Sequence, residues 1–181
     1  MRAAFATTAQ LWRSASMNPY RADWILLAYN NPEKDVFNNY IKKTGLAWFI
    51  RCNRNRATFG LAPVLAAPAW AAVGDPGSLS AYYDPGPPET FSVSATQPPG
   101  PAEAVLILAT RALSPGILTL SNQQRIIFTE NPGTSGPWDI LAAWKTKFGA
   151  IPPDKQIFVM ARYIDTTQGR AGLNALTSAT T

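Results

Sequence analysis

Ile157-Phe158-Val159-Met160-Ala161-Arg162-Tyr163-Ile164 is the strongest strand candidate in the chain, and the fold is read outward from it. Downstream, Gln168-Gly169-Arg170 is a turn, and Leu173 to Thr180 is a closing strand. Upstream, Phe91, Val93 and Ala95 alternate with Ser92, Ser94 and Thr96, the period of two expected of a strand buried on one face. Leu79 to Tyr83, Ile117 to Leu120 and Arg125 to Thr129 are further strands. The continuous apolar run Val105 to Leu108 suits a central strand, and Pro98-Pro99-Gly100-Pro101 is a strong turn before it. About seven strands in about 100 residues, separated by turn signals, predict a β-sandwich. One segment departs from the pattern. Trp138, Leu141, Trp144 and Phe148 stand at helical spacing between Pro137 and Gly149, which predicts a short inserted helix covering an end of the sandwich.

Residues 61–77, LAPVLAAPAWAAVGDPG, are rich in Ala and Pro and nearly free of charge. Prolines hold themselves and their predecessors extended. The segment therefore predicts a semi-rigid apolar linker that lies against protein, with Trp70 as a packing anchor.

Residues 1–60 read as short helices. Phe5, Ala9 and Trp12 share a face at i, i+4, i+7. Asn18-Pro19 predicts a cap followed by the first position of a helix, whose stripe is Tyr20, Trp24, Leu27 and Ala28. Asn30-Asn31-Pro32 is a second break. Val36, Phe37, Tyr40 and Ile41 then stand at helix-like spacing up to Thr44-Gly45. Leu46, Phe49 and Cys52 continue one face to about Phe59, with Gly60 as the C-terminal cap. The organisation is thus α+β, with a helical segment over 1–60, a linker over 61–77 and an antiparallel β domain over 78–181.

The 181 residues are 46% hydrophobic and 11% aromatic, enough apolar mass for a core. Charged residues are only 15%, against roughly 25% in an average soluble domain, so part of the surface is expected to face other protein. The net charge of +5 is uneven: residues 1–60 hold nine bases and three acids, and the remainder seven bases and eight acids. Such asymmetry points the N-terminal third toward nucleic acid or an acidic protein surface, against the plainer reading of a solvated basic face. Met1 to Ser16 lacks the apolar core of a secretory signal, and no apolar stretch approaches the roughly 20 residues of a membrane helix, so synthesis in a cytoplasm without membrane insertion is expected.

The chain has no histidine, which removes Ser-His-Asp and Cys-His catalysis and His-ligated zinc. A single cysteine excludes an intrachain disulfide and any Cys-rich metal site. No GxxxxGK[ST] or strand-following GxGxxG occurs, and Asn131 to Gly136 reads as a plain loop. The sparse carboxylates form no pair that sequence selects; Glu89 with Glu103, or Asp139 with Asp154, would need folding to assemble them. Ser14, Ser16, Ser114 and Ser121 lack a nucleophile elbow. Cys52 lies beside Arg51 and Arg54, which would lower its pKa, but it shares a register with Leu46 and Phe49, and burial is the preferred reading. The expectation is a non-enzymatic protein with no cofactor and no metal.

The most informative constellation is Trp48-Phe49-Ile50-Arg51-Cys52-Asn53-Arg54-Asn55-Arg56. Arg51 and Arg54 share a helical face, and Arg56, Lys42 and Lys43 extend the positive zone. These five cations are candidates for phosphate contacts. Arginine and aromatic residues are equally the types enriched in protein interfaces, and that reading is preferred, with Trp12, Trp24, Trp48, Arg51, Arg54, Arg56 and Trp70 as the interface.

The stretch from Lys43 to Asn55, followed by Phe59-Gly60-Leu61-Ala62-Pro63, resembles a group of phage- and prophage-type proteins with a G…F-x-R-x-N-R-N…G-L-x-P segment, a proline-rich connector and a β domain. Leu113 to Gly116, Leu141 to Trp144 with Phe148-Gly149, and Lys155 to Val159 with Thr167 to Gly169 are similar to the same group. Cys52 stands where that pattern has an apolar residue. The β part resembles fibronectin type III or immunoglobulin-like (Ig-like) modules, which often end in a strand such as Gly169 to Thr180. The resemblance implies a virion structural protein, foremost a capsid decoration (cement) protein, bound to major capsid or other virion proteins and homo-oligomeric or lattice-bound. Nucleic-acid binding through Lys42, Lys43, Arg51, Arg54 and Arg56 is the alternative. A carbohydrate-binding sandwich using Tyr82, Tyr83 or Trp138 is a further one.

Overall fold

The computed structural model describes residues 2–34, 39–69, 72–117 and 123–181. The chain is a mixed α+β protein that divides into two units: Met1–Ala72 together with Asp165–Ala171, and Val73–Ile164 together with Gly172–Thr181.

The first unit is helical. It contains α1 (Arg2–Arg13), a 3-10 turn (Ala15–Met17), α2 (Arg21–Asn30) and α3 (Gly45–Thr58), with a ribbon of β1 (Glu33–Lys34) and β2 (Tyr40–Ile41) between the last two helices. Thr44 caps α3 by accepting a hydrogen bond from Ala47 N at 3.2 Å. Gly60, at φ +69°, follows its end as expected. The core is Met17, Trp24, Leu27, Ala28, Trp48, Phe49 and Cys52, so the stripes read from α2 and α3 do meet. Phe49 is its centre: Trp24 packs edge-on at 5.4 Å and Trp12 tilts against it at 5.3 Å.

Two helical expectations are corrected. Asn18 is not the N-terminal cap of α2, and Pro19 does not open that helix. Asn18 has helical backbone angles (φ −53°, ψ −45°), whereas a capping residue needs an extended backbone. The turn runs on through Tyr20 N to Met17 O at 3.0 Å, and α2 starts at Arg21. The helix expected through Tyr40 and Ile41 is absent. Those residues pair antiparallel with Glu33 and Lys34, in the register Glu33↔Ile41 and Lys34↔Tyr40. An aromatic beside a β-branched residue favours a strand, and a helix this short has too few bonds to offset its nucleation. Val36 and Phe37 lie outside the described residues.

The apolar segment after α3 folds back onto the helices. Val64, Leu65 and Ala67 pack on their core, and Pro68 is buried. Trp70 lies outside the described residues.

In the second unit, β3 (Leu79–Asp84), β4 (Thr90–Ala95) and β7 (Trp138–Asp139) form one sheet in the order β3-β4-β7. The other contains β5 (Glu103–Ala109), β6 (Arg125–Glu130), β8 (Gln156–Asp165) and β9 (Ala175–Thr180), in the order β6-β5-β8-β9. Pairing is antiparallel, for example Leu79↔Ala95 and Gln156↔Thr180. One core draws on both sheets: Phe91, Val93 and Trp138 from the first, and Val105, Ile107, Ile157, Val159, Ala161 and Tyr163 from the second. The period-two reading of β4 and β8 is thus realised in alternate burial. β5 is buried over Ala104 to Ile107, as a central strand requires.

The inserted helix is shorter than its spacing suggested. α4 runs Leu141–Phe148, while Trp138 is a strand residue opposite Val93. Asp139 ends the strand by accepting from Leu141 N at 3.0 Å. Trp144 is buried, and its Nε1 donates to Thr110 O at 3.0 Å. Ile117 is not in a strand, and Leu118 to Leu120 lie outside the described residues.

Candidate docking surface

The RxNRN stretch of α3 serves chiefly to hold backbone. Asn53 is buried, with Nδ2 donating to Phe49 O and Val64 O, both at 3.1 Å, and Oδ1 accepting from Val64 N at 2.7 Å. Asn55 Nδ2 donates to Gly169 O at 2.7 Å. Arg56 donates from Nε to Ala62 O at 2.7 Å and from Nη1 to Thr167 O at 2.7 Å and to Thr166 O. Buried Arg170 donates to Ala69 O at 3.3 Å. These side chains bind carbonyls of two segments that carry little regular structure, 61–69 and 165–171, and so hold their backbone in place.

The five expected cations do not form one phosphate track. Glu33 lies between two of them, paired with both Lys43 and Arg51. Partial burial pushes the Glu33 carboxyl up, but its Lys43 hydrogen bond and the Arg51 charge outweigh this and hold it below its ordinary value. Arg51 also stands over the Trp48 ring at 5.5 Å. Arg56 is committed to the carbonyls above. Arg54 is exposed on α3. Lys42 is exposed, its ammonium 3.6 Å from the centre of the Tyr29 ring.

The tryptophans expected to dock are mostly internal, which corrects that assignment. Trp24 is fully buried and donates from Nε1 to Leu65 O at 2.6 Å. Trp48 is buried, and Trp12 is half-buried on Phe49. Their apolar surface completes the unit's own core. Trp138 is likewise buried and offers no ring to a sugar; Tyr83 is half-buried with its hydroxyl on Glu89 at 2.9 Å, and Tyr82 is exposed. Cys52 is fully buried, and burial pushes its thiol up to about 12 against the smaller opposing pull of Arg51 and Arg170. It is a neutral core residue. Among the described residues no three His, Cys, Asp or Glu side chains form a metal-binding group, and no helix is long and apolar enough to cross a membrane.

The unaccounted surface is on α2. Trp24, Leu27 and Ala28 face the core. At about 100° per residue, Ala22, Ile25, Leu26 and Tyr29 make a second stripe at i, i+3, i+4, i+7 on the opposite side. That stripe is open to solvent: Ile25 is 57%, Leu26 58% and Tyr29 62% exposed. On the neighbouring ribbon, Tyr40 and Ile41 are 71% and 41% exposed. Two depressions adjoin the end of this helix. One, of about 440 Å³, is lined by Asn30, Glu33, Tyr40, Trp48, Arg51 and Arg170. The other, of about 680 Å³, is lined by Leu26, Asn30, Asn31 and Ala67 to Ala69. A helix with apolar stripes on two opposite sides ordinarily has both covered. Here one side is covered by the unit itself and the other is not. The sequence contained this signal, since both stripes have helical spacing, but a single stripe was enough to account for the helix.

No protein-family model matches the chain, and neither a curated protein nor a solved structure proved similar to it.

Proposed function

We propose that this chain is a non-enzymatic structural protein of a phage-type particle, most simply a capsid decoration protein, docked through its helical unit. The observation that carries the reading is the second stripe of α2, where Ile25, Leu26 and Tyr29 are more than half exposed on a helix whose other side is buried. Contiguous exposed apolar surface marks an interaction site. The low charge content and the phage-type resemblance of Lys43 to Pro63 support the same reading.

Magnitudes favour a repeated contact over a single one. Burying a large apolar side chain contributes about 1.5–3 kcal/mol, so these half-exposed ones contribute roughly 1–2 kcal/mol each. With Tyr40 and Ile41 of the ribbon they make five, and five only match the estimated cost of association, about 4–15 kcal/mol. A symmetric lattice adds such contacts through effective concentration.

The β unit is read as an Ig-like sandwich of the fibronectin type III kind. Its first, second and fifth strands share one sheet, and its third, sixth and seventh share the other, as in immunoglobulin domains. The fourth strand, β6, lies beside β5, which departs from the constant-type order and suits the fibronectin variant.

The nucleic-acid reading has less support, because Glu33 pairs with Lys43 and Arg51 while Arg56 holds backbone. The test is association of the purified chain with emptied, nucleic-acid-free phage shells, imaged to locate added density. Ordered density that survives raised salt is expected. Absence of binding, with salt-sensitive retention on DNA, would overturn the reading in favour of Lys42, Lys43, Arg51, Arg54 and Arg56.

A further inference from the structure

Resting on that reading, we infer that the second stripe of α2 is received by an apolar groove on a different protein, and that this groove sets a carboxylate against Lys42. Two observations carry the inference. The first is local. The Lys42 ammonium lies 3.6 Å over the Tyr29 ring, so a partner that covers Tyr29 also covers Lys42. Removing an ammonium from water is costly unless an opposite charge and hydrogen bonds meet it. Among the described residues of the adjoining ribbon the acid is Glu33, and it is already paired with Lys43 and Arg51. The partner must therefore supply the counter-charge.

The second observation is global. The unit formed by 1–72 and 165–171 has ten bases (the nine of residues 1–60 and Arg170) and four acids (their three and Asp165), a net of +6. Two copies joined face to face through α2 would set +6 against +6 and Lys42 near its own copy, which opposes self-association. The remainder of the chain has six bases and seven acids, a net of −1, and offers no strongly acidic surface in return. Apolar spacing at i, i+3, i+4, i+7 with a cationic edge is the pattern of a helix laid into a groove with an acidic rim.

The experiment uses the full chain and two synthetic helical-hairpin peptides, each helix of about five turns, identical in the leucine-lined groove between their helices but rimmed with Glu in one and Lys in the other. Binding is read by fluorescence anisotropy, with sedimentation for self-association. The Glu-rimmed peptide is expected to bind at least about tenfold more tightly, a difference of about 1.4 kcal/mol. Lys42→Glu should cancel or invert the preference, and Lys42→Arg should keep it. Leu26→Asp should abolish both while leaving the unfolding transition in place, since Leu26 is exposed. Equal binding of the two peptides, no binding of the Glu-rimmed one, or indifference to Lys42→Glu overturns the inference. So does wild-type dimerisation that Leu26→Asp removes, which assigns the face to a second copy. Selective peptide binding without retention on phage shells would refute the virion reading alone. Equal retention of wild type and Lys42→Glu on shells would refute this inference alone.

Discussion

Gly169 sits directly against the backbone of Cys52: a Cβ built on Gly169 would stand 2.0 Å from Cys52 O and 2.7 Å from its carbonyl carbon. Gly169 also has φ +73°, where an L side chain is strained. The 165–171 loop reaches α3 only because this position has no side chain, and Asn55 and Arg56 then bind its carbonyls. Gly169→Ala should lower stability by about 2–4 kcal/mol, combining left-handed strain with a clash that only backbone movement relieves. Gly60→Ala is the control. It has a similar φ of +69° but nothing within 4 Å of the added Cβ, so it should cost about 1 kcal/mol. Urea unfolding of the two variants distinguishes steric exclusion from backbone strain; equal losses would refute the close-contact argument.

Asn53 binds the segment after α3 by both ends of its amide. Asn53→Leu keeps the approximate volume but removes the side-chain partners of Val64 N and Val64 O, while Phe49 O keeps its place in the helical ladder. A loss of about 2–4 kcal/mol is expected. The segment from 61 to 69 should also become accessible to protease, because its anchor to α3 is gone. Limited proteolysis checks this, and an unchanged cleavage pattern would show that Trp24 and the apolar contacts of Val64 and Leu65 suffice to hold it.

The contrast between these segments and the β unit shows what local sequence can express. Phe91 and Val93, or Ile157, Val159 and Ala161, announce their burial through a period of two that is complete within one strand. Phe49 and Cys52 do so through helical spacing. Glu33–Lys34 and Tyr40–Ile41 are two residues each, too short to show any period, and the aromatic and β-branched side chains of the second pair fit either periodicity. Trp138 continues the helical spacing of Trp144 yet pairs with Val93, a partner far back in the chain. The arginines and asparagines of α3 were legible as a group but not in role. Their partners are carbonyls, and one of them, Gly169 O, lies 114 positions away from Asn55. A carbonyl has no sequence signature. The exposed stripe of α2 was missed for the opposite reason: it was present, but redundant with the stripe that builds the core.

Glu33 joins the ribbon to α3 through Lys43 and Arg51. Its pKa in the folded chain lies below its ordinary value. A depressed carboxyl contributes stability that is fully present above its unfolded pKa and lost as pH falls through the folded value. The helical unit should therefore lose part of its stability at acid pH below the ordinary carboxylate range, and raised salt should reduce the same contribution, since the pair is partly exposed. Glu33→Gln should be less stable than wild type near neutrality and should converge with it in acid. Thermal midpoints of both chains across pH test this; parallel curves would mean that the Glu33 pairs add nothing.

Cys52 gives a second titration of opposite sense. Its thiol is pushed up to about 12 by burial in a core shared with Trp24, Trp48 and Phe49. The unfolded chain ionises its thiol nearer the ordinary value, so the folded state loses relative stability as pH rises above that value. Thiolate absorbance should stay absent in the folded chain at mildly alkaline pH and emerge only with unfolding. A thiol reagent should likewise react at the rate of opening and not at the rate of an exposed cysteine. Gly169→Ala should accelerate that labelling more than Gly60→Ala, because only Gly169 lies against the Cys52 backbone. Cys52→Ser places a hydroxyl among those rings and should destabilise by about 1–3 kcal/mol, whereas Cys52→Ala leaves only a small cavity and should cost less. Rapid labelling of the native wild type would instead show that the loop at 165–171 opens readily and that the thiol reacts without unfolding.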